Sequence, residues 1–272
     1  MRHTLLDGMR GYFLVFMMVN HLHFDGGALI TRINHAELGY VQDAQGFVFL
    51  SGLIVGLHYT RMCEAGRGAE MAARLRSRAW ELYRYAAAIL VGITLLAFLL
   101  PQSEAYWGER LGGLYRDPAG HGLASLLLLF QPAFMDILPQ YILYLAASPL
   151  LIRLVAAGRW PLVAAGSAAL WASVQLGAHV PPAGALEAAL QAVLPGTTLR
   201  SHFNPLAWQA VFVAGLLIGA AKARGRLDPA RLFPADRAYP ALALAVVLFF
   251  AACRLGFAYG VVPEEMDRRF WS

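Results

Sequence analysis

LLDGMRGYFLVFMMVNHLHF, residues 5–24, reads as an apolar run carrying polar side chains at both ends. Asp7 and Arg10 stand near its start, and Asn20, His21 and His23 near its end. About 20 mostly apolar residues suffice for a helix to cross a bilayer, so the run is read as a first membrane span. No small-residue cleavage site follows it, and the segment is taken as a retained span rather than a signal peptide. At 100° and 1.5 Å per residue, His21 falls about 20° past three whole turns from Arg10, and Asp7 about 40° to the other side of His21. Asp7, Arg10, Leu14, Met17 and His21 are therefore expected on one stripe, roughly 20 Å long.

Ionisable groups inside a span cost on the order of 2.5 kcal/mol or more, so such a stripe is expected to face protein or a wet cavity. Asp7 and Arg10, three residues apart, are spaced to pair. A guanidinium held there suits an anionic group such as a phosphate. His21 is the side chain on the stripe suited to exchange a proton near neutral pH, as the base for a hydroxyl nucleophile in acyl transfer. Plain structural roles compete with each assignment. Asp7 and Arg10 also read as an interfacial ion pair, His21 as a hydrogen-bonded packing residue, and Asn20 and His23 as interface residues.

The rest of the chain fits an integral membrane protein. Of 272 residues, 58% are hydrophobic and 14% charged, against about 25% charged in an ordinary soluble domain, and mean hydropathy is +0.52. A single membrane domain over residues 1–272 is expected, since no polar block is large enough for a separate core. The net charge of +5 comes from short basic blocks between apolar runs, as at an anionic leaflet, and a nucleic-acid partner is not expected. Cys63 and Cys253 suit neither a disulfide framework nor a metal, and no metal site is expected.

The expected fold is all-α, a polytopic bundle of about seven spans near 6–24, 43–60, 84–100, 137–156, 160–178, 204–221 and 239–259. The run LASLLLLF at 123–130, followed by Gln131, Pro132 and Asp136, is expected to be a partial or re-entrant helix. With a cytoplasmic N-terminus, inner segments would gather Arg2, Arg10, the arginines from Arg61 to Arg84, Arg153, Arg159 and the basic residues from Lys222 to Arg237. These are most of the 22 Lys and Arg residues, and the asymmetry favours that orientation. Within 61–85, apolar residues at 71, 75, 79 and 82 alternate with Arg74, Arg78 and Arg84. The pattern predicts a basic amphipathic helix on the inner leaflet, with Arg74 and Arg78 open either to lipid or to a donor phosphate.

Gly52 and Gly56 have the Gly-xxx-Gly spacing that brings helices close, while Ser51 beside them is read as a partner for the histidine or the substrate. Gln131, Asp136, Gln140, Tyr141, Tyr144, Asn204, Trp208 and Gln209 offer amides, a carboxylate and aromatic faces suited to sugar rings, or equally to an aromatic belt. Asp136 is also a candidate to raise the basicity of His21.

Four stretches taken together resemble the OpgC family. They are Asp7-Gly8-Met9-Arg10-Gly11 with Asn20-His21, Gly46-Phe47-Val48-Phe49-Leu50-Ser51-Gly52, Gln131 to Pro139, and Phe203-Asn204-Pro205-Leu206-Ala207-Trp208-Gln209. The resemblance implies a bacterial inner-membrane enzyme, akin to the membrane-bound acyltransferase type three group, that succinylates periplasmic glucans. Cytoplasmic acyl-CoA, succinyl-CoA by family expectation, would be its donor substrate and the glucan its acceptor, with no bound cofactor. His21 would match the catalytic histidine, Arg10 the donor-binding arginine and Asp7 its acidic neighbour. Asn20, Ser51, Asn204, Trp208 and Gln209 would position the acyl group or acceptor. Relatives usually run on through further spans, and MDRRFWS at 266–272 reads as the start of an outer loop, so the chain is expected to be either a fragment or a shortened relative. The rival readings are a proton-coupled transporter, which also uses intramembrane Asp, Arg and His, and an inactive assembly subunit. No internal symmetry of two halves supports the transporter.

Overall fold

A computed structural model describes residues 4–21, 42–200, 203–227, 238–258 and 260. The described residues form ten α-helices: α1 (Thr4–Asn20), α2 (Asp43–Glu64), α3 (Gly68–Leu99), α4 (Ser103–Arg116), α5 (Pro118–Leu126), α6 (Ile137–Ala156), α7 (Trp160–Gln175), α8 (Val180–Val193), α9 (Pro205–Ala223) and α10 (Ala238–Ala258). The one extended pairing among them is an isolated parallel bridge between Phe130 and Arg200. The all-α expectation holds.

Five helices, α2, α3, α6, α9 and the Ala238–Gly256 part of α10, are long and apolar enough to cross a membrane. A sixth span is reached only if α7 and α8, bent by 78°, count as one broken crossing. The seven expected spans thus become five or six among the described residues. The first run yields 17 helical residues, about 26 Å, and residues 22–24 of that expected span, His23 included, lie outside the described residues. The run 123–130 does not cross: α5 has nine residues, about 13 Å, and the chain turns at Leu128, whose φ is 62°.

Residues 61–85 need a larger correction. Residues 61–64 belong to α2, the chain turns through Gly66 at φ 76°, and α3 then runs unbroken for 32 residues, about 48 Å. The basic segment and the span that follows are one helix, because no Gly or Pro strong enough to stop it lies between them. Met71, Leu75, Ala79 and Leu82, the expected lipid-facing stripe, are buried in protein, and the helix packs most extensively on α6. Arg74 and Arg78 flank that stripe and are exposed.

The contacts divide the chain into two compact units, residues 1–51 with 224–272, and residues 52–223. In the first, α1 and α2 run antiparallel: Arg10 lies over the Phe47 ring, Phe13 fills the space a Cβ at Gly46 would need, and Asn20 meets Asp43. In the second, α3 packs on α6, α7 on α9, and α6 touches both α7 and α9. The α4 and α5 helices fold back on the end of α3, where Leu90, Ala97, Leu111 and Leu114 form a buried cluster. Pro118 opens α5 behind Asp117, whose carboxylate accepts from Gly120 N–H at 2.9 Å, a Pro-at-N1 start with an acidic N-cap. Gly52 and Gly56 abut the backbone of α9 at Phe212 and Leu216, and Gly219 returns the contact at Leu53. The Gly-xxx-Gly spacing is therefore a packing device.

Candidate functional site

The face that α1 turns to α2 carries Arg10, Phe13 and Asn20, the last two one heptad apart. Phe13 and Asn20 lie to one side of the stripe drawn through Asp7, Arg10, Leu14, Met17 and His21, and Asp7, Leu14 and His21 are exposed. The α-helical period places Arg10 and His21 on a common edge, but it is the docking of Phe13 on Gly46 that decides which edge α2 covers.

Arg10 sits on the boundary between covered and open. Its guanidinium carbon lies 5.4 Å from the Phe47 ring centroid, a cation–π contact worth about 0.5–2 kcal/mol depending on desolvation. Its Nε is buried and makes no hydrogen bond. The ion pairs among the described residues join Arg67 and Arg74 to Glu70 and Arg78 to Glu81, so the expected Asp7–Arg10 pair is not formed there. A cation partly covered by an aromatic face, with N–H capacity unspent, is disposed to accept an anion.

Asn20 is held firmly. Its Nδ2 donates to Asp43 Oδ2 at 2.6 Å, and Asp43 is buried. This bond ties the end of α1 to the start of α2 and fixes the backbone that leads into His21, whose own N–H bonds Met18 O at 3.2 Å. Asp43 was not singled out from sequence; its signal is an acid at the first turn of an apolar run. Replacing Asn20 with Leu should cost about 1–3 kcal/mol, since it strips a donor from a buried carboxylate. Chemical unfolding in detergent reads that loss, with Asn20→Gln as a partial rescue.

Ser51 is buried, and its Oγ makes no hydrogen bond. Arg74 and Arg78 spend their guanidinium groups on Glu70 and Glu81 at 2.7 Å each. These pairs are exposed and screened by solvent, so a phosphate can compete for either arginine.

In the second unit the polar residues gather at the start of α6. Asp136 and Gln140 are buried, and Gln140 Nε2 donates to Phe203 O. Tyr144 OH donates to Pro205 O at 2.9 Å, so α6 grips the entry to α9. Asn204 caps α9, its Oδ1 accepting from Leu206 N–H at 2.9 Å with Pro205 at the first helical position, an N-cap preference. Trp208 lies 4.3 Å from Phe203 between ring centroids. Gln209 accepts from Ser167 Oγ at 2.7 Å and donates to Ser167 O at 2.8 Å, pinning α9 to α7. Asn204 and Gln209 thus carry structural duties, and His21 and Asp136 belong to different units. Among the described residues no group of His, Cys, Asp and Glu is arranged to hold a metal ion.

The sequence model of a family described as OpgC protein matches residues 2–271. The chain belongs to the OpgC family. No curated protein and no solved structure matches it. Membership suggests a membrane acyltransferase in glucan modification. The four stretches that carry the OpgC resemblance fall on α1, on the first half of α2, on the segment leading into α6, and on the first turn of α9.

Proposed function

We propose that this OpgC protein transfers an acyl group, succinyl by family expectation, from acyl-CoA to hydroxyls of a glucan. The observation that carries the reading is Arg10, a guanidinium lying over Phe47 with a buried Nε–H bonded to nothing, on the same helix edge as His21 and about 16 Å from it along the axis. Arg10 binds the phosphate region of the donor. His21 removes the proton from the attacking glucan hydroxyl as oxygen adds to the thioester carbonyl, and returns it to the leaving CoA thiolate. Asp7 tunes the field around Arg10, Asn20 holds the His21 backbone through Asp43, and Ser51 offers its hydroxyl to the acyl oxygen. Arg74 and Arg78 add cationic field that draws the anionic donor to the membrane surface, and Trp208 offers an aromatic face to a sugar. The donor enters from the cytoplasm and the glucan from the periplasm of a bacterial inner membrane, with the N-terminus inside.

The test uses the purified protein in nanodiscs with radiolabelled succinyl-CoA and β-glucan. Label covalently bound to glucan supports the reading. Uptake of label into sealed vesicles with no covalent product contradicts it and favours a transporter. Replacing Arg10 with Ala is expected to raise the KM for the donor at least about tenfold, the loss of one charge-assisted contact.

A further inference from the structure

The α4 helix brings Glu104, Gly108, Gly112 and Arg116 to one face, four residues apart. With Glu109 and Tyr106 beside them, they line a groove of about 600 Å³, inside the range of about 300–1,000 Å³ usual for ligand sites. Gly108 keeps the middle of the groove clear, since among the described residues a Cβ there would meet Glu104 Cγ alone, at 3.5 Å. Tyr106 is 73% exposed, and Arg110 closes one edge.

The charges in this lining balance, Glu104 and Glu109 against Arg110 and Arg116. Among the described residues no ion pair joins them to one another, and Arg116 Nε donates to Gly112 O at 3.2 Å. Arg110 is held from behind, its guanidinium carbon 5.3 Å from the Phe134 ring centroid. Phe134 keeps that ring at the surface, 48% exposed, on a left-handed φ of 69° that a residue with a Cβ disfavours. Strain that displays an apolar ring instead of burying it is typical of a ligand clamp.

A phosphate or an ammonium group would meet as much repulsion as attraction here, so the ligand that fits carries no net charge. It must donate to carboxylates, accept from a guanidinium, and lay an apolar face on the tyrosine ring. A chain of hexose rings does all three. We propose that the α4 groove binds a neutral glycan, with one ring stacked on Tyr106, hydroxyls donating to Glu104 and Glu109, and another hydroxyl accepting from Arg110. The place of α4 agrees: α3 is long and apolar enough to cross a membrane, and its residues from Arg78 to Leu99 set the cationic half about 32 Å from α4. That the glycan is the acceptor rests on the acyl-transfer reading; that the groove binds it does not.

The experiment titrates wild type, Tyr106→Ala and Gly108→Leu in nanodiscs with sophorohexaose, laminarihexaose and cellohexaose by calorimetry. At least one hexasaccharide is expected to bind wild type, and to bind either variant at least about tenfold more weakly. Tyr106 is a surface side chain and leucine favours a helix over glycine, so both variants are expected to keep the unfolding transition of wild type. The same preparations are assayed for transfer of label from succinyl-CoA to the saccharide. Affinity lost in both variants, with no transfer by wild type, leaves the glycan site standing and removes the acyl-transfer reading. Transfer by wild type with unaltered affinity in both variants keeps that reading and overturns the site. No hexasaccharide bound by wild type overturns it too and leaves the face to lipid headgroups, as does an affinity for inorganic phosphate that falls in Arg110→Ala, which makes the groove an anion site.

Discussion

Gly56→Val is expected to unfold the packing of α2 on α9. A Cβ at Gly56 would collide with Leu216 O, and one at Gly52 with Phe212 O. These are backbone atoms, so no rotamer change relieves the overlap and the helices must separate. Inserting atoms into a packed interior costs about 1–3 kcal/mol where side chains can adjust, and here at least the upper end of that range is expected. Gly56→Ala should already destabilise measurably. Gly92→Ala is the control, since nothing lies within 4 Å of a Cβ there, and a helical Gly-to-Ala change gains about 0.5–1 kcal/mol. Denaturant unfolding in detergent reads all three. A Gly56→Val protein as stable as wild type would show that the two helices are not in backbone contact.

His21→Ala carries the largest expected effect on activity. If His21 takes the proton from the glucan hydroxyl, its loss should lower kcat by about 10²- to 10⁴-fold. Denaturant unfolding of the variant, run beside the assay, separates a lost base from a lost fold. Asn20→Leu provides the contrast, losing stability through Asp43 while keeping the imidazole. Turnover by His21→Ala within a few-fold of wild type would remove the base from the account.

The apolar runs made the helical, membrane-embedded character of the chain legible, since periodic polarity is a property of the sequence itself. The breaks were harder. The α3 helix joins a basic half to an apolar half without interruption, so the change of composition near residue 84 marked a change of surroundings rather than of conformation. The α4 helix, SEAYWGERLGGLYR, is too polar to read as a span, and only its packing on Leu90 and Ala97 gives it a place. The α8 helix starts at Val180 behind Gly177, whose φ is 72°, with Pro181 and Pro182 in its first turn; those signals end α7 but do not tell where the next helix lies.

The site was legible in part for a similar reason. Helical spacing put Arg10 and His21 on one edge, but the covered face depends on the partner helix, and Gly46 selects it by admitting Phe13. Asn20 gained meaning only beside Asp43, 23 residues away. Gln209 and Asn204 resemble ligand-binding amides in sequence, yet their hydrogen bonds run to Ser167 and to the first turn of α9.

The claim that Arg10 receives the donor while His21 serves the chemistry separates cleanly in one measurement. Equilibrium affinity for CoA is compared by calorimetry for wild type, Arg10→Ala and His21→Ala in nanodiscs. The account predicts binding at least about tenfold weaker in Arg10→Ala and unchanged in His21→Ala. Equal affinities in all three proteins, or a loss in His21→Ala as large as that in Arg10→Ala, would contradict it.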